Sequence, residues 1–333
     1  WGVLGMVAMN ISTSLLMQIP TLWFIHRIAP ELRFGWRGAD PRLARTVASF
    51  SSALFVINVA AQIKTKTDEV VISAFLPIAS VTPFSIARRL SELPRTLTYQ
   101  FMKVLMPLAA QLHAENDQVR LRALYLTSTR LTLAIFVPIA CSLIILARPF
   151  LTIWVGATYA DSANLVLILT IAGLLDIILW PAASILQGMA RHRRLAVIAL
   201  GSALANLGLS ILLVRPLGVA GVALGTLIPT SIECVCFVLP YAMRVIGVSA
   251  RAALREIFIP TMTPLVPMAV VIYGLREILK PASLISIAII AGIGLLIYAT
   301  IYLGVSTNAI EQRVFRRFMF NVIQFARARL KQT

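Results

Sequence analysis

Long apolar stretches alternate with short charged ones along the whole chain. Hydropathy places spans near residues 1–25, 46–76, 79–111, 127–147, 163–189, 195–214, 219–243, 257–279 and 283–304. Each is apolar for about twenty residues, the length at which a helix rising 1.5 Å per residue crosses about 30 Å of hydrocarbon. The pattern predicts an all-α polytopic membrane protein with about nine transmembrane helices. The loops between spans are short, and none is long enough for a soluble catalytic domain. Pro94, Pro138, Pro181 and Gly201 fall inside spans, where neighbouring helices can satisfy the backbone groups they free.

One region breaks the pattern. In "FSIARRLSELPRTL" (84–97), Arg88, Arg89, Glu92 and Arg95 follow an apolar run. Hydropathy alone allows three short spans here (46–63, 70–87, 96–112), with the charges in an exposed loop. It also allows two long helices, with the charges inside the membrane. The two readings differ by one crossing and so invert everything downstream. Basic residues, which gather on the cytoplasmic side, discriminate between them. After residue 112, Arg120, Arg122, Arg130, Arg191, Arg193, Arg194, Arg244, Arg251 and Arg255 share one side with Arg313, Arg316, Arg317, Arg327, Arg329 and Lys331. The opposite side has only Arg148, Arg215, Arg276 and Lys280. Upstream, Arg27, Arg33, Arg37, Arg42 and Arg45 mark the 26–45 loop as cytoplasmic. Two crossings gather both large groups on the cytoplasmic side, whereas three would separate them. Two long helices are therefore expected.

That reading puts a charged face inside the membrane. Arg88, Glu92, Arg95, Tyr99 and Lys103 recur at helical spacing, flanked by Arg89, Thr96 and Gln100. Leu90, Leu93, Leu97, Phe101 and Val104 form the opposing stripe. The charged face extends about 22 Å along the axis. A charge facing lipid at the bilayer centre costs at least about 2.5–3.5 kcal/mol, so these cations must meet water, partners or ligand. The preceding helix adds Lys64, Lys66, Asp68 and Glu69, with Lys64 and Asp68 placed to pair four residues apart, as are Arg88 and Glu92. Lys64, Lys66, Arg88, Arg89, Arg95 and Lys103 outnumber Asp68, Glu69 and Glu92 by three. This surplus favours a hydrated cavity for an anionic substrate over self-satisfied ion pairs. Arginine suits phosphate, because its planar fork binds two oxygens at once.

Composition supports this picture. Only 13% of the 333 residues are charged, 59% are hydrophobic and mean hydropathy is +0.87, too little charge to coat a soluble globule. The net charge of +17 is spread between spans and forms no basic patch with interleaved aromatics, which argues against nucleic acid as a partner. Cys141, Cys234 and Cys236 fall in apolar spans, and His26, His113 and His192 are isolated near helix ends, so no metal site or disulfide framework is expected. No HExxH, P-loop or GxSxG pattern is present, and no catalytic residues are assigned. Trp1 opens the chain inside an apolar span, from which a piece lacking its N-terminal part is expected.

"ARRLSELP" (87–94) followed by "LMPLAAQLHAEND" (105–117) resembles the eighth helix of lipid-linked oligosaccharide flippases of the MOP superfamily. Polysaccharide (Wzx-like) and lipid II (MurJ-like) flippases are among its branches. "VGATYADSANLVLIL" (155–169), "SILQGMARHRR" (184–194) and "RPLGVAGVALGT" (215–226) resemble further markers of the polysaccharide branch. The resemblance implies a MOP/MATE-like helical bundle fragment. Residues 1–45 would be the last helix of the N-lobe and a cytoplasmic linker, and 46–245 the six-helix C-lobe. Residues 246–306 would be two additional helices, and 307–333 a basic amphipathic cytoplasmic tail. In the lipid II branch a cavity arginine precedes Leu in the pattern read here as "ARRLSELP", so the carry-over falls on Arg89. That branch also has a C-lobe sodium site, for which Asn58 or Asp68, Asn206 and Thr226 are the candidates here. Asp176 and Glu233, single acids within spans, are further candidates for cation coupling, with pairing to a neighbouring helix as the competing role.

The function so implied is movement of undecaprenyl-diphosphate-linked oligosaccharide across a bacterial inner membrane by alternating access, for polysaccharide biosynthesis such as that of lipopolysaccharide. No enzymatic activity and no cofactor are expected, with Na+ or H+ as candidate coupling ions. The partners would be the anionic lipid-linked glycan, membrane lipids and other polysaccharide-assembly membrane proteins. A MATE-type multidrug exporter is the alternative within the superfamily, disfavoured by the cation surplus. A membrane glycosyltransferase or polysaccharide polymerase is the alternative outside it, disfavoured by the scarcity of surface carboxylates.

Overall fold

The structure is a computed structural model that describes residues 2–28, 40–99 and 104–306. Lys103 and residues 307–333, including the amphipathic helix expected over 310–330, lie outside the described residues. The chain divides into two compact units, residues 1–49 and 50–333.

The first unit begins with helices α1 (Gly2–Leu16) and α2 (Gln18–Ile28). Pro20, which has no amide proton, sits in the first turn of α2, where no backbone donor is needed. Thr13, Ser14 and Thr21 turn their hydroxyls onto carbonyls four residues back, which removes polar groups from an otherwise apolar surface. Leu4, Met6, Met9, Leu15 and Leu16 are exposed, as suits a surface whose solvent is lipid.

Helix α3 (Pro41–Phe75) starts with proline at its first position, and Asp40 accepts a hydrogen bond from the Arg42 amide at 2.8 Å. It runs unbroken through Lys64–Glu69. The chain turns only at Pro77 and a short 3-10 turn (Ile78–Ser80), and α4 (Val81–Tyr99) then runs unbroken through Arg88, Arg89, Glu92 and Arg95. Ser85 Oγ donates to Glu69 Oε1 at 3.2 Å, so the two helices return along each other. The charged stretch is helix, not an exposed loop, as the two-helix reading requires.

Helices α5 (Leu105–Ala114), α6 (Gln118–Trp154), α7 (Ala163–Gly188) and α8 (His192–Ile232) follow. Asp117 caps α6 by accepting from the Arg120 amide at 2.9 Å. A π-helical segment (Glu233–Val238) leads into α9 (Leu239–Ile246), which Gly247 ends at φ 78°. Then come α10 (Ala250–Ala253), α11 (Ile259–Met262), α12 (Leu265–Leu279) and α13 (Leu284–Ile301). Among the described residues six helical stretches are long and apolar enough to cross a membrane: Pro41–Phe75, Gln118–Trp154, Ala157–Gly188, His192–Ile246, Ala250–Leu279 and Leu284–Gly304. The fourth is broken at Gly218 and provides two spans; α1 with α2 and α4 with α5 complete about nine among the described residues. No strand occurs among them.

The glycine-rich "RPLGVAGVALGT" has a physical reading. Gly218 takes φ 59°, ψ −141°, a region that side chains exclude, and there α8 folds back on itself. A Cβ on Gly221 would stand 2.1 Å from the Leu213 carbonyl oxygen, and one on Gly225 would stand 2.3 Å from Ser210 Oγ. Small residues four apart let the two arms of α8 approach to backbone contact, where packing takes over from the hydrophobic effect that lipid does not supply.

Three apolar clusters hold the second unit. Tyr125, Phe136, Ile177, Ile185 and Ile246 join α6, α7 and α9. Ile72, Phe84, Leu151, Val166 and Val222 join α3, α4, α6, α7 and α8. Leu146, Met268, Ile272 and Ile290 join α6 to α12 and α13. The sequence reading counted Arg120 and Arg122 in the loop before residue 127 and Arg130 at the end of the span that follows, but α6 begins at Gln118 and contains all three. Arg122 Nε donates to the Ile246 carbonyl at 3.2 Å. Arg130 is only 3% exposed, and its Nε donates to the Tyr302 hydroxyl at 3.2 Å. Long apolar stems let these arginines cover helix while their heads find carbonyl and phenol partners.

Candidate functional site

The cavity lies among α3, α4 and α7 and the π segment at Glu233, with a volume of about 530 Å³. Lys64 from α3 is among its lining residues. Its Nζ is 3.1 Å from Glu233 Oε2 and 3.6 Å from Asp176 Oδ1. Arg95 Nη1, from α4, is 3.4 Å from Asp176 Oδ2. The four groups form a chain of alternating charge, each half-buried. The wider turn at Glu233 is a π segment, a local distortion that re-aims a side chain relative to an α-helix and often occurs at sites of function.

Trp180 and Tyr99 form the aromatic wall, edge to face with centroids 4.8 Å apart, and the Arg95 guanidinium lies 5.6 Å from the Trp180 ring centroid. Ser184 and Gln187 extend the polar lining. Sequence reasoning overlooked Trp180, Ser184 and Gln187. The signal was present: Asp176, Trp180, Ser184 and Gln187 recur at spacings of 4, 4 and 3, a stripe along α7.

A second knot of polar groups is buried beside this cavity, where Asp68, Asn206 and Thr226 come together. Thr226 Oγ1 donates to Asp68 Oδ2 at 3.1 Å. Asn206 Nδ2 donates to Thr226 Oγ1 at 3.0 Å and to the Gly225 carbonyl at 3.1 Å. Arg88 Nη2 stands 3.2 Å from Asp68 Oδ2, and Arg88 Nε is 3.6 Å from Glu92. Asp68 and Asn206 are fully buried. Asn58 does not join them. It is exposed on α3, ten residues and therefore about 15 Å of helix from Asp68.

The structure corrects two expectations about charge. Lys64 does not pair with Asp68 four residues on; it turns to Asp176 and Glu233, leaving Asp68 to Arg88. The cation surplus also shrinks, from three to one, and the remaining one is Lys103, outside the described residues. Among the described residues, Lys64, Lys66, Arg88, Arg89 and Arg95 face a set of acids enlarged by Asp176 and Glu233, and the numbers are equal. Lys66 and Arg89 are exposed and form no ion pair among the described residues. On α4 the packed residues Phe84, Ala87, Leu90, Ser91, Pro94 and Thr98 occupy one side, and Arg89, Glu92 and Thr96 stand opposite. Glu92 and Thr96 border a cleft that shares Thr65, Arg95, Tyr99 and Trp180 with the cavity, so the outward polar strip is continuous with it.

Residues 1–164 match the model of a family described as polysaccharide biosynthesis protein. Over 287 residues the chain is 21% identical to the "Probable low-salt glycan biosynthesis flippase Agl15" of the archaeon Haloferax volcanii, a match covering 86% of this chain and 59% of that relative. The chain thus spans about three-fifths of the length of the curated relative it matches. No solved structure matches significantly. In sequence, the chain resembles polysaccharide flippases, the likeness that its motifs carry.

Proposed function

We propose that this multi-pass membrane chain is part of a glycan flippase, a transporter and not an enzyme. Its cargo would be an oligosaccharide joined through diphosphate to a polyprenyl lipid of the undecaprenyl class, in a bacterial inner membrane. One observation carries the reading: α4 turns Arg89, Glu92 and Thr96 away from the packed bundle, and Glu92 and Thr96 border a cleft joined to a cavity walled by paired charges and aromatic rings. An arginine facing lipid at that depth would be costly, so the strip faces a hydrated chamber. Sugar hydroxyls suit a wall of charge-balanced donors and acceptors beside Trp180 and Tyr99. The diphosphate suits cations that no acid has claimed, Arg89 first and Lys66 second. The lipid tail stays in the bilayer while the helices rock to expose the chamber to either side. A cation exporter gains some support from Asp176 and Glu233 in the cavity, yet Lys64 already holds both acids.

The test uses cells lacking the gene, in which lipid-linked oligosaccharide accumulates. Arg89→Ala in the full-length protein is expected to abolish rescue at unchanged protein level, because no acid among the described residues depends on Arg89 for its charge. Arg89→Lys should restore little, since an ammonium keeps the charge and loses the two-pronged hydrogen bond. Full rescue by Arg89→Ala removes this residue from the transport path. Absence of any accumulation in the deletion strain removes the flippase reading itself.

A further inference from the structure

The knot of Asp68, Asn206 and Thr226 is where the resemblance to the lipid II branch implies a sodium ion, and part of it fits one. Asp68 Oδ1, Asn206 Oδ1 and Ser210 Oγ are buried oxygens without a hydrogen bond to the described residues. Oxygens of this kind are what a hard cation uses.

Charge decides otherwise. Asp68 is the knot's one carboxylate, and Arg88 already stands 3.2 Å from it. Glu69, next along α3, is exposed and accepts from Ser85 instead. The Arg88 guanidinium is also held by Glu92 at 3.6 Å and lies 5.4 Å from the Phe84 ring centroid. A sodium ion entering beside it would stand against a like charge, with Asp68 already engaged by that charge. Like charges about 4 Å apart at an effective dielectric of 20 weaken binding roughly a thousandfold.

We propose that Arg88 is the built-in cation of this pocket: its guanidinium takes the place that sodium would take, and the pocket does not bind Na+ while Arg88 is paired with Asp68. The tethered charge holds α4 to α3 and α8 without an ion from solution, so any Na+ coupling in this protein runs elsewhere. The inference concerns the chain's own charges and stands whatever the cavity carries.

Thermal unfolding of the purified full-length protein in detergent, in matched NaCl and KCl series, tests it. The wild type should melt at the same temperature in both salts. Arg88→Gln, which keeps hydrogen bonding and drops the charge, should gain a saturable, Na+-specific stabilisation of several degrees. Arg88→Gln with Asp68→Asn, lacking both charges, should show none. Saturable Na+-specific stabilisation of the wild type overturns the proposal, as does an Arg88→Gln protein that melts identically in both salts. If Arg88→Gln cannot be purified folded, Arg88→Lys decides: Na+ insensitivity supports the built-in cation, and Na+-specific stabilisation rejects it.

Discussion

Replacing Lys64 by methionine keeps the length and apolar stem of the side chain and removes the charge that Asp176 and Glu233 share. At an effective dielectric of 20, a unit pair 3.5 Å apart attracts by about 5 kcal/mol before desolvation is counted. Desolvating the three ions takes back most of that, and stranding a buried acid typically costs about 3–5 kcal/mol. The side chains of Lys64, Asp176 and Glu233 keep 13–20% of their exposure, so the lower end applies and Lys64→Met should cost about 3 kcal/mol. Arg95 differs. Its side chain is 27% exposed, and Asp176 retains Lys64 when it is lost, so Arg95→Met should cost only about 1 kcal/mol. Glu233→Gln added to Lys64→Met should recover about half the loss, because the remaining acid, Asp176, still has Arg95. Heat unfolding followed by far-ultraviolet circular dichroism reads these as falls of roughly 6–10 °C, 2–3 °C and 3–5 °C. Equal losses for Lys64→Met and Arg95→Met, or a double variant no better than Lys64→Met, would show that the two acids do not depend on this ammonium.

Two further outcomes concern the frame around the site. Gly225→Val should prevent the arms of α8 from closing and abolish accumulation of folded protein, whereas Gly208→Val, where a Cβ meets nothing within 4 Å, should be tolerated; blue-native gels of membrane extracts compare them. Single cysteines at residues 118, 192 and 216 should label from the cytoplasm for the first two and from outside for the third, and labelling of 118 and 216 from one face would contradict the basic-residue bias that set the topology.

The frame of the fold was legible because a bilayer imposes a length on every span, and because basic residues count crossings that hydropathy miscounts. The turn at 76–80 illustrates this. Hydropathy falls at Lys64–Glu69 and again at Arg88–Arg95, yet the chain turns between those segments, at Pro77. Polarity there marks a helix face and not a helix end. What the local pattern could not supply was partners. Lys64 and Glu233 meet across 169 residues, and nothing near either one announces the other. Counting charge only within 46–112 therefore gave a surplus of three, which Asp176 and Glu233 reduce to one.

Arg88 and Arg89 show the same limit at its finest grain. Adjacent residues on a helix point about 100° apart, so one step along α4 separates a knot packed among three helices from a face turned outward. Charge, composition and motif are the same for both residues; only the direction of the packed side of α4 tells them apart, and that direction follows from Phe84, Ala87, Leu90 and Ser91 being buried. The inward, half-buried arginine meets the carboxylate of its pocket and has little freedom to leave it, which suits a strut that replaces an ion. The outward arginine meets no acid among the described residues, and under the proposed function that unclaimed charge is what a ligand would meet. A binding cation must remain unclaimed until its ligand arrives, and a structural cation must be claimed at once. By that criterion the resemblance and the packing agree on Arg89 as the residue to test for transport, and on Arg88 as the residue to test for stability.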